Sequence, residues 1–98
     1  MQKRLILICF VSSWVTYLTG QSVAINNTGS APDPSSILDI SSDGKGLLIP
    51  RMTSGQRDNL PDPANGLIVY QTDFNTGFYY NAGTPVTPIW MRMTNEYN

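Results

Sequence analysis

The chain has 98 residues, 41% hydrophobic and only 13% charged, with six basic and seven acidic side chains, one cysteine and no histidine. This length holds one domain, and the few scattered basic residues lack the clustered positive footprint of a nucleic-acid binder or of a polybasic membrane patch. Without histidine, the commonest general base and the commonest transition-metal ligand are both missing.

Taken in chain order, the first element is a leader. Met1–Arg4 (MQKR) carries two positive charges, and Leu5–Leu18 is mostly apolar and uncharged. A basic start, a short apolar stretch and a small residue predict a secretory signal peptide over residues 1–20, cut after Gly20, with Ala24 as the second candidate site. The fourteen apolar-stretch residues would reach about 21 Å as a helix, short of a hydrocarbon core of about 30 Å, so no membrane association is expected after cleavage. Cys9 lies inside this leader, which leaves no thiol in the mature chain for a disulfide or a zinc site. Cleavage also removes Lys3 and Arg4, leaving Lys45, Arg51, Arg57 and Arg92 against seven acidic residues, a net charge of −3. The expected location is secreted or on an extracellular surface.

Residues 21–35 read as a short strand, SVAIN, followed by a loop rich in turn residues, NTGSAPDPS. Residues 36–94 read as a β-rich module, with 95–98 as a tail. In that module Ser36–Ser42 alternates as a strand, Asp43-Gly44 gives a hairpin signal, and Lys45–Ile49 is the expected returning partner, stopped by Pro50. Thr53 and Gln56 have capping-box spacing for a helix over Ser54–Leu60, with Arg57 and Asp58 outward, ended by Pro61. Gly66–Thr72 is the strongest strand pattern, with Leu67, Val69 and Gln71 opposing Ile68 and Tyr70. Asp73–Gly77 turns it back into Phe78–Asn81, and Ile89–Thr94 alternates as a last edge strand. The fold class is mainly β with one short helix, built as two hairpin-like strand pairs plus an edge strand. With no disulfide and no metal, completion by oligomerisation is expected for so small a core.

The residues that could carry chemistry have bland alternatives. Asp39 with Asp43, and Asp58 with Asp62, are carboxylate pairs, but they also suit turns and a helix surface. The Asp39–Gly44 segment lacks the third-position acid and the closing glutamate of a calcium loop. No catalytic residue, cofactor or metal site is expected. The aromatics are concentrated late in the chain, and Tyr79, Tyr80 and Trp90 are candidates for stacking on a sugar or surface ligand, with sheet core or subunit contact as the alternative. Leu47, Ile49, Arg51, Arg57, Leu67, Val69 and Tyr70 are the candidate subunit contacts. In this set the arginines suit bidentate pairing with carboxylates such as Asp58 or Asp73.

The run LDISSDGKGLLIPRMTSGQRDNLPDPANGLIVYQTDFNTGFYYN, closing at Trp90, resembles a module of secreted proteins from some Gram-negative bacteria and of phage tail fibres. The resemblance covers about residues 22–92 and is most specific in Lys45–Thr53 and Gly66–Asp73. It implies a β-structured stalk or fibre unit, adhesin-like or tail-fibre-like, assembling as a homotrimer with no catalytic activity and no cofactor. In longer members such a module precedes further segments, such as receptor-binding tips. The expected function is therefore structural assembly through strand faces, with a surface glycan or protein receptor as partner. The alternative is a small carbohydrate- or surface-binding protein.

Overall fold

The computed structural model describes residues 21–95. The expected signal peptide, its expected cleavage at Gly20 and most of the 95–98 tail lie outside the described residues. The chain divides into two compact units, up to Gly44 and from Lys45 onward.

In the first unit, β1 (Val23–Ile25) and β2 (Leu38–Ile40) pair in parallel, with Val23 opposite Leu38 and Ile25 opposite Ile40. The intervening loop is organised by its own short polar side chains. Asn26 Oδ1 accepts the amides of Thr28 and Gly29 at 3.2 and 2.8 Å. Asp33 accepts the Ser35 amide and hydroxyl, and the Asp33 amide donates to Asp39 on β2 at 2.8 Å.

This pairing corrects the expected first hairpin. Residue 44 and residue 43 both avoid positive φ, so no type I′ turn forms; the Gly44 amide instead bonds the Ser42 hydroxyl at 3.2 Å. Strand β2 spends its hydrogen bonds on β1, and Lys45–Ile49 is not a strand.

The second unit is a four-stranded sheet in the order β3-β4-β5-β6, comprising β3 (Arg51–Met52), β4 (Ile68–Gln71), β5 (Gly77–Asn81) and β6 (Trp90–Arg92). Strand β3 runs parallel to β4, while β4–β5 and β5–β6 are antiparallel. Pro50 therefore heads a strand rather than ending one. It lacks an N–H but its carbonyl accepts from the Tyr70 amide at 2.9 Å, which is the position a proline tolerates.

The helix α1 (Ser54–Asp58) sits in the β3–β4 crossover and carries the expected capping box, with the Thr53 side chain accepting from Gln56 N–H and the Gln56 side chain accepting from Thr53 N–H. It ends at Asn59, two residues before Pro61, so it is shorter than the Ser54–Leu60 expected. The second hairpin and the terminal edge strand form where the alternation placed them.

Strand alternation gives the sheet two unlike sides. Val69, Gln71, Tyr79, Asn81 and Trp90 face the helix and the 62–66 segment, and Val69, at 2% exposure, and Tyr79 form the buried apolar core. Ile68, Tyr70, Phe78, Tyr80 and Met91 share the opposite side, away from α1.

Candidate functional site

The helix side is held by polar groups that strand patterning does not announce. Arg57, expected to point outward, instead packs its guanidinium 4.9 Å from the Tyr79 ring centroid and 5.6 Å from that of Trp90. It donates to Gln71 Oε1 and pairs with Asp58 at 2.9 Å. A planar, weakly hydrated cation between two rings is worth more when partly desolvated. Gln71 is buried, and its amide donates to the carbonyls of Asp73 and Asn75. The Tyr79 hydroxyl donates to the Asn75 carbonyl as well. Asp73 pairs with no arginine of its own chain among the described residues; its carboxylate accepts the Ser54 amide at 2.7 Å and so ties the β4–β5 turn to the helix N-terminus.

At the other end of the sheet, Asn81 has 0% exposure. Its amide nitrogen donates to the carbonyls of Pro63, Ala64 and Thr84, and its oxygen accepts the amides of Gly83 and Ile89. One side chain therefore joins the loop before β4 to the β5–β6 loop. These buried polar groups are satisfied within the chain.

The opposite side is different in kind. Tyr70 and Phe78 pack edge to face, with ring centroids 5.1 Å apart. Together with Leu47, Leu48, Ile49 and Arg51 they line an open groove of about 290 Å³. Ile68, Phe78 and Met91 are each 46% exposed. Leu47 and Leu48 are exposed further still. The Arg51 guanidinium bonds the Ile49 carbonyl at 3.3 Å, which keeps one cation at the rim of an otherwise apolar surface. A contiguous apolar patch of this kind marks an interaction surface.

Of the candidate subunit contacts, the fold brings Leu47, Ile49, Arg51 and Tyr70 together at this groove. Val69 and Arg57 lie on the helix side instead, packed within their own chain, and Leu67, just ahead of β4, is exposed. Leu48 and Phe78 belong to the groove although the strand pattern did not single them out; the alternation that placed Tyr70 there also places Phe78, its cross-strand neighbour. The stacking candidates do not form one platform. Tyr79 is buried, Trp90 lends a face to Arg57, and Tyr80 lies on the other side of the sheet.

Among the described residues, no helix is long and apolar enough to cross a membrane, and no group of three or more His, Cys, Asp or Glu side chains could hold a metal ion. A family model described as a phage tail like trimerisation region matches residues 24–98. No curated protein and no solved structure matches.

Proposed function

The chain belongs to the phage tail like trimerisation region family, and from that premise we propose that it is a structural, non-catalytic module that forms homotrimers through the open side of its sheet. The observation that carries this reading is the two-sidedness of the sheet. One side is covered and its polar groups are satisfied within the chain. The other presents Tyr70, Phe78, Ile68 and Met91 beside Leu47–Ile49, and much of that apolar surface is exposed among the described residues of this unit. An antiparallel sheet with one solvated side normally carries polar residues there. Apolar residues in those positions indicate a side that becomes buried on assembly.

The module would act in a tail-fibre-like or adhesin-like protein. The basic and apolar pattern of residues 1–20 supports delivery outside the cell, and N-terminal sequencing of the exported protein tests that part. The assembly itself is tested by sedimentation equilibrium of the purified chain at micromolar concentration. Three times the chain mass is expected, and Phe78→Asp, which places a charge on the open side, should yield the single-chain mass with the β-sheet circular dichroism retained. A compact single-chain species that unfolds cooperatively without the substitution overturns the proposal.

A further inference from the structure

The tip of the β4–β5 hairpin carries a residue that the sheet's own packing does not use. Phe74 adopts φ 49, a left-handed conformation uncommon for a bulky side chain, and it is 87% exposed. Its neighbours hold it there. The Gln71 side chain and the Tyr79 hydroxyl fasten the carbonyls of Asp73 and Asn75 from inside the sheet, and the Thr76 amide donates to the Phe74 carbonyl at 3.0 Å. Strained backbone persists where its surroundings over-determine it, and such positions gather at functional contacts. Here the outcome is an aromatic ring presented to solvent on a rigid turn.

The groove of Leu47, Leu48, Ile49, Arg51, Tyr70 and Phe78 lies on the open side of the same sheet, and its Tyr70–Phe78 pair is the last but one before that turn. We infer that the Phe74 ring of one copy of this chain seats in the groove of a second copy, and that three such contacts close the trimer. The inference rests on the trimeric reading above.

Size, chemistry and symmetry all favour this occupant. An apolar cavity of about 150 Å³ takes a benzene molecule, so a groove of about 290 Å³ accepts a phenyl ring with its first methylene. Aliphatic walls, two aromatic edges and the Arg51 cation at the rim suit an incoming ring. Knob and groove are different patches of one chain, so their contact is head-to-tail, and a head-to-tail contact builds a closed ring when its rotation closes. Both patches also lie within the span that matches a trimerisation region, residues 24–98.

The test places p-benzoylphenylalanine at position 74 of the full chain and irradiates a mixture of isotopically light and heavy chains. Mass spectrometry is expected to find light–heavy crosslinks from position 74 to residues 47–51, 70 or 78, and covalent trimers on denaturing gels. In parallel, Phe74→Gly, which suits the left-handed backbone, should leave the fold intact and weaken association at least tenfold. Trimers whose crosslinks fall elsewhere or within one chain, or a Phe74→Gly chain that associates as tightly as the original, overturn this contact and leave the trimeric reading standing. A monomeric unmodified chain in the sedimentation control overturns the trimeric reading, and this contact with it.

Discussion

Replacing Asn81 by alanine should be among the most damaging single changes in this protein. The substitution removes the acceptor of the Gly83 and Ile89 amides, both bonded at 2.9 Å, and the donor to the Pro63 carbonyl at 2.8 Å. The Ala64 carbonyl keeps a partner in the Leu67 amide at 3.1 Å, so it adds little. Each buried polar group left unpaired costs about 1–3 kcal/mol, and two stranded donors alone give a loss of roughly 2–6 kcal/mol. That is a large share of the ~5–15 kcal/mol that holds a typical domain together. Urea unfolding followed by circular dichroism measures it, at one fixed protein concentration because assembly adds to apparent stability. Asn81→Asp supplies an internal check. Its carboxylate would face the Pro63 and Ala64 carbonyls, so burial raises its folded-state pKa. The penalty is then absent below the unfolded carboxylate value of about 4 and grows as pH rises. A loss under about 1 kcal/mol for Asn81→Ala, against the range expected for unpaired buried groups, would refute the claim that this side chain organises the two loops.

Other changes test separate parts of the argument. Arg57→Lys keeps the charge but loses the planar fork between Tyr79, Trp90 and Gln71, and should cost about 1–2 kcal/mol with a change in the near-ultraviolet dichroism of Trp90. Gly83→Ala would drive a Cβ into the Thr87 carbonyl and the Ile89 backbone nitrogen, so amide shifts should spread through residues 81–90 and stability should fall by about 1–3 kcal/mol. In the first unit, the Ser35 hydroxyl, and after it the Ser35 amide, hold the Asp33 carboxyl below its ordinary value. Stability from this contact is present above the unfolded value of about 3.9 and is lost as pH falls through the lower folded value. Ser35→Ala should move the Asp33 titration midpoint upward in a carboxyl-carbon NMR experiment, and an unmoved midpoint would count against the contact.

What was legible in the sequence was local. The capping box needs only Thr53 and Gln56 three positions apart, and the Gly66–Asn81 hairpin needs only two alternating runs around a turn. Alternation alone set Val69 and Gln71 against Ile68 and Tyr70, and so separated the two sides of the sheet. Parallel pairing was not legible. Strand β2 finds its partner on β1 across a long loop whose turn residues do not announce which strands it joins, whereas Asp43-Gly44 displays a hairpin signal that the chain does not use. Nor does a two-residue strand after Pro50 have a pattern long enough to read. Arg57 was misplaced for a related reason. Helical position says which residues neighbour it along the helix, but its partners Gln71, Tyr79 and Trp90 arrive from three different strands. The groove was half legible, since Leu47, Ile49, Arg51 and Tyr70 were recognisable as contact residues, while Phe78 joins them only through cross-strand register and Leu48 only through the path of a segment that turned out not to be a strand.

The two border strands of the sheet have a consequence for how large an assembly becomes. Strand β3 has two residues and follows a proline, and β6 has three. Stubby borders of this sort offer little backbone for another chain to copy, a recognised guard against runaway ribbon growth. Copies of this protein are thereby steered away from open-ended stacking, and the number of chains in a particle is left to shape-matched side chains, which can stop at a fixed count.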